Sequence, residues 1–223
     1  MSRVVDGMYP GRCMLCLAPA SAGICVGCTD DLVRSGPSCP TCAAPLPATG
    51  SCPACQRRPP LLDEVRAPFA YAWPLSLLLL SYKSGQRPQL IRPLGALLND
   101  GVPSAVARGV DCVIPVPLHE DRLAQRGFNQ AAELARVLCR RRNLALDLRS
   151  ARRIVATPSQ QGLSRRARKA NLRGAFVAEG DLFGRRVLLV DDVMTTGATL
   201  NVLAREVRKA GAEWVGAVVL ARA

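Results

Sequence analysis

Residues 187–200 read V-L-L-V-D-D-V-M-T-T-G-A-T-L. Four consecutive apolar residues at 187–190 fit a strand buried on both faces, the pattern of a parallel sheet covered by helices. Residues 199–210 then carry a helical period with Leu203 and Val207 on the inward side and Gly211 as the stop, and residues 214–220 are apolar again. Strand, helix and strand make a βαβ unit whose crossover is right-handed. Working outward, residues 66–72 predict an opening strand, 75–82 and 90–98 helices broken around Gly85 and Pro88, and 110–116 a short strand. A helix is expected over 130–142 and a further strand over 148–155, and the run Leu77 to Leu80 is expected in the core. The alternation predicts an α/β fold, a mainly parallel sheet flanked by helices.

The chemistry of the stretch lies where the strand ends. In open α/β sheets ligands gather outside the carboxyl ends of the strands. Thr195, Thr196, Gly197, Ala198 and Thr199 offer consecutive backbone N–H groups and hydroxyls at a helix start, an arrangement suited to one phosphate. Asp191 and Asp192 repel a phosphate but accept hydrogen bonds from the vicinal hydroxyls of a ribose, and they suit a hydrated magnesium ion nearby. The segment thus matches a ribose 5-phosphate. Two other readings exist. One is the acidic strand of a nucleoside triphosphatase, which the chain contradicts by having no Gly-Lys pair for the partner loop. The other is a plain strand followed by a capped helix.

The first 60 residues are of different character. Cys13 and Cys16, Cys25 and Cys28, Cys39 and Cys42, and Cys52 and Cys55 are four C-x-x-C pairs in tandem. Each gap lets two thiolates turn onto one ion, and eight thiolates complete two tetrahedral zinc sites with no open position for catalysis. Large apolar residues are scarce between Arg12 and Pro60, so metal replaces burial as the source of stability. Sequential pairing, first with second and third with fourth, describes two zinc ribbons in series; cross-bracing, first with third and second with fourth, has the same spacing. Redox dithiols are the other reading, but they lack a surrounding strand and helix pattern. Cys112 and Cys139 stand outside the pattern and read as small core residues. The shift in composition after Pro59 and Pro60 divides the chain into a ribbon module, 1–60, and a larger domain, 61–223.

The net charge is +13, and only Lys83, Lys169 and Lys209 among the 30 basic residues are not arginine. Such a surplus favours polyanionic partners, nucleic acid or phosphates. No apolar run approaches the roughly 20 residues that span a bilayer, so membrane insertion is not expected. With eight of ten cysteines in metal spacing and no signal pattern, a reducing cytoplasmic setting is expected rather than disulfides.

Segment 187–200 resembles the signature that binds phosphoribosyl pyrophosphate (PRPP) in type I phosphoribosyltransferases. Three further stretches narrow the likeness: I-P-V-P-L and R-L-A-Q-R-G-F-N-Q within 113–130, T-P-S-Q-Q-G-L-S-R-R-A-R-K-A-N-L-R-G-A-F over 157–176, and the cysteine pairs. Together they resemble the ComF/GntX family of competence-related proteins over nearly the whole chain. The resemblance implies that Asp191 and Asp192 hold the ribose hydroxyls and residues 195–199 the 5-phosphate of a magnesium PRPP complex. It places a pyrophosphate loop at Pro117, Leu118 and His119, with Arg122 and Arg126 as charge partners. Residues 126–130 are expected to begin a helix, either as a ligand contact or as a solvated turn with Phe128 anchoring the core, and His119, the only histidine, to stand exposed on a polar loop as a candidate general base. The resemblance also implies a mobile loop carrying Arg165, Arg166, Arg168 and Lys169, within a stretch from 151 to 174 that has seven basic residues and no acid.

Two functions follow from these readings. One is a magnesium-dependent phosphoribosyltransferase with an unidentified acceptor. The other is a DNA-uptake accessory that binds a ribose phosphate while its ribbons and basic loop hold single-stranded DNA or dock competence-machinery proteins.

Overall fold

The computed structural model describes residues 11–21, 23–85, 87–156 and 174–223. Its main sheet is built from β1 (Glu64–Arg66), β2 (Phe69–Ala70), β3 (Cys112–Pro115), β6 (Arg186–Met194) and β7 (Trp214–Arg222). β6 and β7 pair in parallel, β3 joins the far side of β6, and β1 and β2 follow one another along the outer side of β7, all in parallel. The expected strand over 66–72 is therefore an edge strand broken in two. Pro68, which lacks a backbone donor, lies at the break.

Helices cover both faces of the sheet: α3 (Leu75–Lys83), α4 (Ile91–Asp100), α7 (Gln130–Arg142) and α8 (Ala198–Lys209). Side chains leave a strand alternately to either face, and β6 does so over 187–190, whereas Val193 packs with the face of Leu188 and Met194 with that of Val187. Leu188 and Val190 pack with Leu78, Leu79, Leu94 and Leu134 of α3, α4 and α7. Val187 and Leu189 pack on the other face with Leu200, Leu203 and Val207 of α8. Cys112 and Cys139 fall in these two different clusters, so they are separate core thiols, each pushed up to about 11 chiefly by burial.

Four local expectations are corrected. Only Leu78 and Leu79 of the Leu77 to Leu80 run are buried, because a helix turns Leu77 and Leu80 outward, each about half exposed. Residues 126–130 do not begin one helix: α6 (Glu120–Arg126) ends there, Gly127 takes a left-handed φ of 77°, and Asn129 caps α7 through bonds from the N–H groups of Ala131 and Ala132. The strand expected over 148–155 is β4 (Ala151–Arg153), which pairs antiparallel with β5 (Phe176–Ala178) outside the main sheet. Finally, β6 runs on to Met194, so the two acids lie inside the strand and not beyond its end.

The cysteine-rich segment is stitched to the sheet edge. Val65 N–H donates to the Pro40 carbonyl (2.7 Å), Ala70 N–H to Val33 (2.9 Å) and Ser35 N–H to Pro68 (2.9 Å). Leu32 and Ala43 are buried in the two cores. The ribbons thus share the domain's hydrophobic burial as well as holding their own ligands. Among the described residues no helix is long and apolar enough to cross a membrane.

Candidate functional site

A cavity of about 220 Å³ opens at the carboxyl ends of β3 and β6. Asp191, Asp192 and Thr199 line it, with Leu118, Arg122 and Arg126 from the segment after β3. The acids and the candidate pyrophosphate arginines, about 70 positions apart in sequence, are therefore neighbours, as adjacent parallel strands require. Pro117 and His119 flank this wall. His119 is not an exposed loop residue: its Nδ1 accepts from Asp121 N–H at the start of α6 (3.3 Å), which makes it a helix cap with a side chain 19% exposed. Residues 195–197 form the turn into α8. Gly197 holds φ 73° and Thr196 Oγ1 accepts from Ala198 N–H (3.3 Å), and of residues 195–199 only Thr199 lines the cavity. Arg165, Arg166, Arg168 and Lys169 lie outside the described residues.

The two acids are inequivalent. Asp192 meets α3: its Oδ2 lies 3.1 Å from Nζ of Lys83, its Oδ1 accepts from Val193 N–H (2.7 Å), and it is only 7% exposed. Asp191 lines the same cavity, and its Oδ1 accepts from Asp192 N–H (2.9 Å). Its carboxyl is pushed up to about 7 by burial and then by the neighbouring Asp192 charge, against the opposing pull of Lys83 and Arg153. Burial, and secondarily the like charge of Arg122, lowers the Arg153 guanidinium from its ordinary value, while Asp191 opposes that shift.

Sequence reasoning did not single out Lys83 or Arg153 as cavity residues, yet both line it. Lys83 had a signal, being one of three lysines in an arginine-rich chain. Of the 126–130 segment, Arg126, Asn129 and Gln130 line the cavity, and Gln130 is 3% exposed.

The cysteine segment forms two tetrads, Cys13, Cys16, Cys25 and Cys28, and Cys39, Cys42, Cys52 and Cys55, each with all sulfurs within 4.8 Å of one another. Sequential pairing is therefore the arrangement adopted, and cross-bracing is not. Zn–S bonds of about 2.3 Å place tetrahedral sulfurs about 3.8 Å apart; Cys16 and Cys25 are 3.5 Å apart and Cys42 and Cys52 3.7 Å. Burial and the adjacent Cys55 and Cys39 thiols push the Cys42 thiol up, so four thiolates in one place call for a cation. The donor sets fit one structural zinc ion each.

Comparison with known proteins agrees with this architecture. Residues 4–56 match the family described as Double zinc ribbon domain, and residues 123–223 the Phosphoribosyl transferase domain family. Competence protein F of Haemophilus influenzae is 34% identical over 95% of this chain and 97% of its own length. The chain belongs to the ComF/GntX family. DNA utilization protein YhgH of Escherichia coli O157:H7, another member, is 36% identical over 96% of this chain and 97% of its own. The ComF-type likeness extends to Competence protein ComFC of Bacillus subtilis, 25% identical over 82% of this chain and 76% of that protein. In ComF terms, the ribbons and the transferase-type domain are both present.

Proposed function

We propose that this ComF-family protein binds the ribose 5-phosphate moiety of PRPP in the cavity beside β6 and uses it in DNA uptake or DNA handling. The observation that carries the reading is the convergence on one cavity of two acids, Thr199 from the first turn of α8 and the cations Lys83, Arg122, Arg126 and Arg153. A ribose phosphate presents hydroxyl donors and an anionic acceptor together, and carboxylates beside cationic donors are their complements. In this reading Asp191 and Asp192 take the ribose hydroxyls, residues 195–199 the 5-phosphate, and Arg122 and Arg126 the pyrophosphate.

Magnesium fits as a companion of the pyrophosphate better than as a protein-held ion. The cavity is lined by two carboxylates, one already paired with Lys83, whereas a magnesium ion takes six oxygens, most of them from water and phosphate. It would neutralise charge on the pyrophosphate; the chain's own part is to orient the ribose and its leaving group.

Residues 1–60 act in this reading as the ribbon module and 61–223 as the ribose phosphate domain. The DNA role rests on the names of the competence and DNA-utilization relatives and on the charge of +13. Single-stranded DNA and competence-machinery proteins are the proposed partners, and a reducing cytoplasm the proposed setting, since tetrathiolate sites need free thiols. Transfer onto an acceptor is the second reading. The described lining offers no aromatic ring on which a nucleobase would stack, so binding is favoured over base transfer.

Calorimetric titration with magnesium PRPP tests the ligand. Replacing both acids, Asp191→Asn with Asp192→Asn, should weaken binding by at least about tenfold; unchanged affinity overturns the assignment. Pyrophosphate release with DNA ends or bases as acceptors tests transfer.

A further inference from the structure

α3 carries Leu75, Leu78, Leu79 and Tyr82 into the core, so its last residue, Lys83, is held in place. Tyr82 donates its hydroxyl proton to the Gln130 carbonyl (3.0 Å), and Gln130 Nε2 donates to the Lys83 carbonyl (3.4 Å). Arg126 in turn donates to Gln130 Oε1 (3.1 Å). A hydrogen-bonded line therefore runs from the proposed pyrophosphate arm, through a buried glutamine, to the lysine that contacts Asp192. The Lys83 side chain is 31% exposed and that of Asp192 10%. The pair stands at the cavity wall and is not sealed away from it.

We propose that Lys83 is a resident cation of the ribose-hydroxyl site, pairing with Asp192 and orienting it so that ribose 5-phosphate binds without a divalent ion. This rests on the ribose phosphate reading above and assigns a positioning role within it. A buried carboxylate without a partner protonates or is destabilised, whereas one held by an ammonium stays an acceptor. Both Asp192 oxygens are engaged, one by Val193 N–H and one by Lys83 Nζ. A divalent ion at Oδ2 would have to displace the ammonium or lie against it, and like charges at that range repel. An ammonium also has three donors, so the ion pair does not exhaust its capacity to meet a ligand hydroxyl. Magnesium is then needed only for the pyrophosphate, which ribose 5-phosphate lacks.

The test is calorimetric titration of ribose 5-phosphate into the full chain, zinc loaded, in buffer free of divalent ions and again with magnesium chloride. The wild type should change affinity by less than about threefold between the two conditions. Lys83→Met should lose at least about tenfold without magnesium and recover most of it with magnesium, while Lys83→Arg stays near the wild type in both. Circular dichroism and zinc content show that each variant is folded, and a purely structural role would not give magnesium rescue. The inference is overturned if the wild type binds ribose 5-phosphate only with magnesium, or if Lys83→Met binds equally well in its absence. If the wild type binds neither ribose 5-phosphate nor magnesium PRPP, the ribose phosphate reading itself fails. Binding of magnesium PRPP with either overturning result isolates the failure to Lys83.

Discussion

Arg222, one residue from the end of the sequence, donates from Nε to the carbonyl of Cys42 in the second cysteine tetrad (3.3 Å). The same guanidinium donates to the carbonyl of Met194 (3.2 Å), the residue before the 195–197 turn. One side chain thus fastens the ribbon to the strand end that carries the proposed ligand turn. Arg222→Met should lower stability by about 1–3 kcal/mol, the cost of leaving partly buried carbonyls without a charged donor. Chemical denaturation should show the loss while zinc content stays at the wild-type level.

Cys39→Ser breaks one tetrad and leaves the other intact. Metal content measured by mass spectrometry should fall from two zinc ions to one. Thermal unfolding should move down as well, because Pro40 and Ala43 of that ribbon contact β1 and the core beside it.

Gly197 holds φ 73°, a conformation that favours glycine, and a Cβ there would approach the Met194 methyl to 2.5 Å. Gly197→Ala should cost about 1–2 kcal/mol of stability from the backbone alone. If the turn holds the 5-phosphate, affinity for ribose 5-phosphate should fall by more than the affinity for ribose, read by competition titration.

The raised Asp191 carboxyl has a signed consequence. Between its unfolded value, about 4, and the folded value of about 7, the folded chain keeps a proton that the unfolded chain has lost. The stabilisation from that retained proton is lost as pH rises through this window, and below it Asp191 contributes no slope. Urea midpoints taken near pH 5 and near pH 8 should therefore fall more in the wild type than in Asp191→Asn. Equal slopes would show that Asp191 ionises normally in the fold.

Much of the architecture was legible in the chain because its signals are local. The apolar run 187–190, the period over 130–142 and four C-x-x-C pairs each fix a short-range geometry that burial or metal then rewards. The acids and the hydroxyl turn were legible for the same reason. Where local signals compete, the reading failed: α6 ends at Arg126 because Gly127 takes the left-handed conformation, and β4 leaves the main sheet to pair with β5.

The sequence by itself thus determined the βαβ order, the cysteine pairs and the identity of the candidate acids, all read from runs of consecutive residues. Tertiary structure alone decided which pairs share a zinc, and that His119 caps a helix. It alone decided that both acids line one cavity and that Asp192 pairs there with Lys83. An apolar strand and a helical period are local signals, but only the packing of α3 against β6 determines that a lysine 109 positions away waits beside Asp192.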